Sequence, residues 1–310
     1  MKKLLTILAM TVSLSAFANV TNCKQITIVN SVPPGGLHDQ SSRDVAKLVT
    51  ERTGIPAVVD AKPAGAQALF YVKQQKPDGC TIGHFRSTFF INQAIEGKDK
   101  VDYDIMNDFV HVGILMKYSS LIVAGPKVPE VKTYNDFIAL TKNRPVNISS
   151  SGAIQDIIFN DFVSHYKPKD SVIVRYKGMA PQLLDLIGGH HDIGFTAIAA
   201  NALQYIDEGK LVPLAVTGEI RLPSLPKVPT LKELGWNYVD YAYSPFTLPA
   251  GASPEVVKFW SDIIRDVWTV PGVAAKWQSY GVDSFDANPV TSKVFLQRAL
   301  DKAATKKIGN

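Results

Sequence analysis

Short apolar runs with strand character alternate along this chain with helical patterns, and loops rich in small residues join them. Three such runs lie early in the chain, Ile26–Val29, Ala57–Val59 and Thr81–Phe85, and the pattern restarts with Val146–Ser149 and Val172–Tyr176. A strand followed by a helix and a further strand forms a right-handed crossover in a parallel sheet. The alternation therefore predicts an α/β protein with two units, each a mostly parallel sheet flanked by helices.

Two extended segments are suited to link these units, one near Val110–Val123 and one near Tyr238–Leu248. We expect domain 1 to contain residues 20–115 plus 241–310, and domain 2 to contain residues 116–240. Closure about the two crossing segments would bury a ligand between the domains.

The N-terminus has the features of a cleavable export signal over residues 1–18. Lys2 and Lys3 precede an apolar run, Leu4–Leu14, and Ala16-Phe17-Ala18 supplies small residues before a cleavage site at Asn19. The apolar run is shorter than the roughly 20 residues that span a bilayer. The sequence therefore predicts an exported, periplasmic protein.

Composition and motifs exclude several function classes. The net charge of +5 is spread over 310 residues without a basic run, which argues against nucleic-acid binding. The chain lacks the Gly-x-Ser-x-Gly, His-Glu-x-x-His and phosphate-loop motifs. His190-His191 fits an exposed turn better than a metal site. We predict neither a cofactor nor a metal.

Two loops that follow a strand and lead into a helix are candidate anion sites. The first is Val32–Asp39, with Asp39 as the predicted N-cap, and the second is Ser150–Ala153. A helix start offers unpaired backbone N–H groups and the positive end of the helix dipole. The alternative is that both loops are only tight turns. His38 either contacts ligand or is exposed, and Arg86 is either a carboxylate clamp or a surface ion-pair partner.

The order of motifs resembles the solute receptors of the tripartite tricarboxylate transporters, the TctC or Bug family. The matching pieces are Val32-Pro-Pro-Gly-Gly-x-x-Asp39, Pro77-Asp-Gly-Cys-Thr81, Asn147-Ile-Ser-Ser-Ser-Gly152, Arg175-Tyr-Lys-Gly-Met-Ala-Pro181, Asp185-Leu-Ile-Gly-Gly189, Leu214-Ala-Val-Thr217, Arg221-x-Pro-x-Leu-Pro-x-Val-Pro-Thr230 and Leu248-Pro-Ala-Gly-Ala-Ser-Pro254. The resemblance implies a two-domain Venus-flytrap fold. It also implies a receptor that binds a small organic acid through backbone amides, hydroxyls and waters and delivers it to the membrane subunits of a transporter.

Several positions depart from the family pattern. Pro63–Gln67 replaces a more glycine-rich stretch, and the loop after Gly152 is shorter. Phe85-Arg86-Ser87 stands where small residues are usual, and Thr196 stands where an Asp is common. A pocket that gains an arginine and lacks that Asp favours a ligand with a second carboxylate.

These arguments give one set of candidate ligand-binding residues. They are Gly36, Leu37, His38, Asp39, Arg86, Ser87, Ser151, Gly152, Ala153, Lys177, Gly178 and Thr196. We expect the backbone of the first four to face Ser151–Ala153 across the cleft, and we expect a monomer. The alternative function is an exported hydrolase-like enzyme on a similar frame.

The two cysteines, Cys23 and Cys80, predict a disulfide. In a sheet of order 2-1-3 they lie at the amino ends of neighbouring strands, where Cα atoms are close enough for a bridge. The alternatives are two free thiols, or acylation of Cys23 as in a lipoprotein, although Asn22 is large for the position before such a cysteine.

Overall fold

The computed structural model describes residues 22–32, 34, 37–62, 66–97, 101–176, 179–198, 200–284 and 288–304. The predicted export signal at residues 1–18 lies outside these ranges, as do three predicted ligand-binding residues, Gly36, Lys177 and Gly178. Among the described helices, none combines the length and the apolar character needed to cross a bilayer.

The first part of the chain, which we call lobe 1, is built on three parallel strands in the order β2-β1-β3. Its elements are β1 (Ile26–Asn30), α1 (Leu37–Thr53), β2 (Ala57–Ala61), α2 (Gln67–Lys73), β3 (Thr81–His84) and α3 (Thr88–Glu96). Asn30 pairs with His84, so the carboxyl ends of β1 and β3 lie side by side. The predicted α/β order is confirmed here, and α3 is an element that the sequence patterns did not indicate.

The prediction that Asp39 caps α1 is wrong. The helix begins at Leu37, which places Asp39 inside its first turn. The buried Asp39 carboxylate accepts two hydrogen bonds from Arg43, at 2.9 and 3.1 Å. A carboxylate is stabilised in the first turn by the helix dipole, and an Arg four residues later lies on the same helix face.

A long strand follows lobe 1 and leads into a second group of elements, which we call lobe 2. The strand is β4 (Phe109–Ala124), and lobe 2 contains α4 (Tyr134–Asn143), β5 (Asn147–Ser150), α5 (Ala153–Tyr166), β6 (Val172–Arg175), α6 (Met179–Ile187), β7 (Ile193–Ala197), α7 (Ala200–Asp207) and β8 (Val212–Val216). The strands β7, β5 and β6 are parallel neighbours in that order. Phe137 and Phe162 stack at 5.1 Å in the lobe 2 core, with Phe195 edge-on to both.

The chain then returns to lobe 1 and adds the remaining elements to it. They are β9 (Tyr241–Pro249), α8 (Pro254–Asp266), a 3₁₀ turn (Val267–Thr269), α9 (Val273–Ser279), β10 (Val282–Ser284) and α10 (Pro289–Ala304). Ser253 caps α8 through the Val256 N–H, and the buried Trp260 indole donates to the Gly79 carbonyl oxygen at 3.0 Å. This contact attaches α8 to the turn that precedes β3.

The two extended segments, β4 and β9, join the lobes. β4 pairs antiparallel with β9 as far as Ser119, opposite Tyr241. From Ser120 onward it pairs with β7 and β8 instead. The fold is therefore the predicted two-domain α/β architecture with two crossing segments. The proposed division at residues 115/116 and 240/241 stays a prediction.

Cys23 and Cys80 form a disulfide, as predicted, with their Cα atoms 5.5 Å apart. Thr27 pairs with Thr81, so the bridge lies at the amino ends of β1 and β3, opposite the ends that carry Asn30 and His84. Because the Cys23 sulfur is in the disulfide, it cannot also carry a lipid. Both the free-thiol and the acylation alternatives are thereby wrong.

Candidate functional site

Polar side chains converge at the carboxyl ends of β1 and β3. Ser31 follows β1, Arg86 follows β3, and His38 lies in the first turn of α1. Ser31, His38 and His84 are buried, yet Ser31 Oγ and both histidine Nε2 atoms have no hydrogen-bond partner among the described residues. Buried polar atoms are nearly always hydrogen-bonded, so a cluster of unpartnered ones is a candidate ligand site.

A network of side chains holds this end of the sheet together. Ser42 Oγ lies 2.8 Å from the His38 carbonyl oxygen, 2.8 Å from His84 Nδ1 and 3.2 Å from Asn30 Nδ2. The hydroxyl has one proton and two lone pairs. All three contacts are hydrogen bonds only if Ser42 donates to the carbonyl and accepts from Asn30 and from His84 Nδ1–H. That assignment leaves His84 Nε2 as an acceptor.

The two histidines of the cluster are neutral. Their ring centroids are 5.2 Å apart, and His84 stacks on Phe246 at 4.1 Å. Burial, and secondarily the positive charge of Arg86, lowers the pKa of His38 to about 3. Burial also holds the pKa of His84 well below its usual value. The imidazoles therefore contribute hydrogen-bonding groups but no charge.

Arg86 supplies the positive charge of the cluster. Its side chain is half-buried, and its buried Nε has no acceptor in the described part of the chain. No described Asp or Glu lies within ion-pair distance of it. Burial lowers its pKa from the usual value. Tyr118 of β4 lies edge-on to His38, with the ring centroids 6.0 Å apart. Burial raises the pKa of Tyr118 to about 12, and the positive charge of Arg86 opposes this rise. A half-buried guanidinium without a carboxylate is an incomplete ion pair.

The corresponding loop of lobe 2 has its charges paired within the lobe. Ser150 Oγ donates to Asp156 Oδ1, and Asp156 Oδ2 accepts from Arg175 Nε at 2.8 Å. Gly152 N–H donates to Ser150 Oγ at 3.3 Å. The α5 helix begins at Ala153, directly after the predicted residues Ser151 and Gly152. This loop therefore offers a helix start whose nearest carboxylate is already ion-paired.

The two lobes approach each other at Gly152. A Cβ atom at Gly152 would lie 3.8 Å from Thr88 Oγ1 of lobe 1 and 3.6 Å from Gln155 Oε1 of its own helix. Thr88 is the first residue of α3 and follows the predicted residues Arg86 and Ser87. The structure therefore brings the Arg86–Ser87 segment to the lobe 2 loop. The facing of Leu37–Asp39 to that loop stays a prediction.

Thr196 lies near the end of β7, and its fully buried hydroxyl has no hydrogen-bond partner within the ranges that the structure describes. His190 is exposed as predicted, but His191 is buried, contrary to the predicted exposed turn. The difference arises because Tyr176 OH contacts His191 Nε2 and donates to Asp185.

Within the described ranges, no three His, Cys, Asp or Glu side chains form a metal site.

The family model described as the tripartite tricarboxylate transporter family receptor matches residues 41–308. The chain belongs to this family. The match confirms the resemblance stated from the motifs, and it identifies a solute-binding receptor rather than an enzyme.

Individual relatives are distant but span nearly the whole chain. A UPF0065 protein from the gbd 5′ region of Cupriavidus necator is 26% identical over 295 residues, covering 92% of this chain and 88% of that protein. BugT of Bordetella pertussis is 23% identical over 296 residues, covering 93% of this chain and 89% of BugT.

Solved structures show the same fold. A Rhodopseudomonas palustris protein, Rpa4515, solved with adipate, has a TM-score of 0.82 at 23% identity and covers 91% of this chain and 96% of its own. MatC from R. palustris, with bound malate, has a TM-score of 0.78 at 21% identity, and the match covers 92% of this chain and 99% of MatC.

Several members of the receptor's cluster were not among the predicted residues. Ser42, His84 and Tyr118 lie next to His38, Ser31 directly follows β1, and Gln155 lies beside Gly152. The signal that could have found His84 is its place as a polar residue at the end of a buried strand, next to Arg86. Tyr118 has no comparable local signal because it reaches the cluster from a crossing segment.

Proposed function

We propose that this receptor binds a small dicarboxylate in the cleft between its lobes and delivers it to the membrane subunits of a tripartite tricarboxylate transporter. The observation that carries the ligand class is Arg86, a half-buried guanidinium without a described carboxylate partner. One ligand carboxylate would complete that ion pair. The other would bind at the helix start after Gly152, and the Thr196 hydroxyl and the backbone groups of Leu37, His38 and Asp39 would contribute further polar contacts.

The charge state of the cluster supports an anionic ligand without an ammonium group. Arg86 is the cation, and His38 and His84 are neutral because they are buried. Asp39 is ion-paired to Arg43 and Asp156 to Arg175. The carboxylates nearest to the two loops are therefore already engaged, and a ligand ammonium would meet Arg86 without a compensating charge.

Export by the predicted signal at residues 1–18 agrees with the disulfide, because disulfides persist in oxidising compartments. N-terminal sequencing of the periplasmic protein tests this part of the proposal. We expect the mature chain to begin at Asn19. A chain that keeps Met1 would contradict it.

Pairs of acids that differ by one carboxylate test the ligand class. Thermal unfolding is followed with adipate against hexanoate, succinate against butyrate, L-malate, and glutamate as the ammonium-bearing acid. A ligand that binds only the folded protein raises its stability by mass action. We expect dicarboxylates to raise the Tm in a saturable manner and the monocarboxylates to have little effect. Equal stabilisation by adipate and hexanoate would contradict the assignment of Arg86.

Delivery is tested by uptake of the radiolabelled acid in cells that lack the endogenous receptor. We expect the wild-type chain to restore uptake and a variant without binding to fail. Uptake that does not depend on the receptor would refute the delivery step and leave the binding assignment intact.

A further inference from the structure

Gln155 has an unusual position, because it lies between the lobe 2 loop and the point where the crossing strand changes lobe. It is the third residue of α5 and is buried. Its Nε2 donates to Ser120 Oγ at 2.8 Å, and its Oε1 lies beside Gly152. A single amide thus connects the helix start of lobe 2 to β4.

Ser120 is the first residue of β4 that pairs with lobe 2 strands. Its N–H donates to Thr217 Oγ1 at 2.9 Å, and its carbonyl oxygen accepts from the Thr217 N–H at 3.0 Å. Both backbone groups of Ser120 are therefore held by one residue.

Thr217 also holds the second crossing segment. Its hydroxyl donates to the Asp240 carbonyl oxygen at 2.8 Å, and its own carbonyl oxygen accepts from the Asp240 N–H at 3.0 Å. Thr217 is fully buried. The next residue, Gly218, packs closely against Ser119, since a Cβ at Gly218 would lie 2.3 Å from the Ser119 hydroxyl unless that side chain moved. The two crossing segments are thus fixed to each other at Ser119–Ser120 and Asp240–Tyr241.

We propose that Gln155 is a positioning residue that fixes the lobe 2 ligand loop to this junction of the crossing segments. Without the bond to Ser120, the start of α5 would move relative to the junction, and Gly152 would no longer hold one place opposite Thr88. The loop would then have to be ordered when ligand binds, and that ordering weakens affinity. The ligand role of the loop rests on the proposed function, whereas the anchoring role of Gln155 does not.

Gln182 provides a matched control. It is also a buried glutamine in the first turns of a helix, and its Nε2 also donates hydrogen bonds, at 3.0 Å to the Ser149 and Phe195 carbonyl oxygens. These partners lie within the lobe 2 sheet. Loss of the Gln182 bonds should therefore lower stability without loosening the loop at the junction.

The first experiment measures the distance from lobe 1 to the α5 helix without ligand. Spin labels are placed on the exposed residues Lys47 of α1 and Ser164 of α5, as K47C and S164C. The native cysteines are in the disulfide and do not react with the label. Distance distributions by pulsed electron paramagnetic resonance are compared for the parent and the variants Q155M, S120A, Q155M/S120A and Q182M.

We expect Q155M and S120A each to broaden the distribution, and the double variant to be no broader than either, because the two changes break the same bond. Q182M should leave the distribution unchanged even where its Tm falls. A Q155M distribution equal to that of the parent, or equal broadening by Q182M, would overturn the proposal.

The second experiment measures affinity for succinate, L-malate and adipate. We expect Q155M to weaken binding of the acid that the parent binds best about threefold to tenfold, which is the effect of one neutral hydrogen bond. Q182M should bind as the parent does. If the parent binds none of the three acids, the proposed function fails, while the distance measurement still decides the role of Gln155.

Discussion

The two loops that meet at the cleft differ in how their charges are satisfied. In lobe 1, Arg86 is half-buried and has no described carboxylate partner. In lobe 2, Arg175 is half-exposed and pairs with Asp156 at 2.8 Å. An arginine thus completes the protein's own structure in lobe 2, whereas the arginine of lobe 1 has no described carboxylate partner. Under the proposed function, lobe 1 would select the ligand by its charge and lobe 2 would supply a positioned helix start.

Replacing Arg86 should have the largest effect on binding. We expect R86A to weaken dicarboxylate affinity about tenfold or more, because a hydrogen bond to a charged group contributes about 1.5–3 kcal/mol. R86K should lose less affinity than R86A, because lysine keeps the positive charge but cannot make the bidentate hydrogen bonds of a guanidinium. Isothermal titration calorimetry measures both variants.

The control is R221A, which removes the same charge from an exposed ion pair with Glu233. We expect it to bind like the wild type. If R221A and R86A lose affinity equally, net charge rather than a lobe 1 clamp governs binding.

The Ser42 network should affect stability strongly. S42A removes the common partner of Asn30 Nδ2 and His84 Nδ1. A buried donor left without an acceptor costs about 1–3 kcal/mol, and we expect a loss of that size in urea unfolding. The neighbouring S41A is the control, because among the described residues the buried Ser41 hydroxyl bonds only to the His38 carbonyl oxygen of its own helix. Equal losses for the two variants would argue against the network.

Neutralising the lobe 2 carboxylate tests the other side of the comparison. D156N should lower the free energy of unfolding by about 1 kcal/mol, because it weakens the bonds to Ser150 and the partly exposed Arg175. Dicarboxylate affinity should not fall, since the helix start loses a competing negative charge. A loss of affinity as large as that of R86A would show that both lobes contribute to the recognition of charge.

The pH dependence of binding should be the smallest effect. With a pKa of about 3, His38 stays neutral from pH 8 to 6, so affinity for a dicarboxylate should be flat in that range. A histidine of ordinary pKa would gain charge as the pH falls and would strengthen anion binding. Titration calorimetry at several pH values distinguishes the two cases, and rising affinity toward pH 6 would refute a neutral cluster.

The lowered pKa of His38 also determines how the stability of the folded protein changes with pH. Below about pH 6.5 the unfolded chain binds a proton at His38 that the folded protein does not bind. The free energy of unfolding should therefore fall as the pH falls from that value. We expect H38N to show a shallower decline than the wild type in urea unfolding.

The sequence predicted what depends on local pattern. The alternation of strands and helices, α3 excepted, follows from periodicity. The Cys23–Cys80 bridge and the position of Arg86 after β3 follow from strand order and neighbouring residues. The contacts of His84 with Ser42 and of Gln155 with Ser120 join residues 42 and 35 positions apart, which no local pattern encodes. The Gly188-Gly189 turn pattern predicts an exposed His191, and it does not indicate the contact with the Tyr176 hydroxyl, which comes from 15 residues earlier.

The length of β4 has a consequence for how the receptor unfolds. Its early residues, such as Val112 and Leu115, and its late residues, such as Ile122 and Val123, belong to one continuous hydrophobic core. Melting either lobe would expose one end of this strand and remove packing from the other. We therefore expect a single cooperative heat-capacity peak, with equal calorimetric and van't Hoff enthalpies, where two independent modules would melt separately.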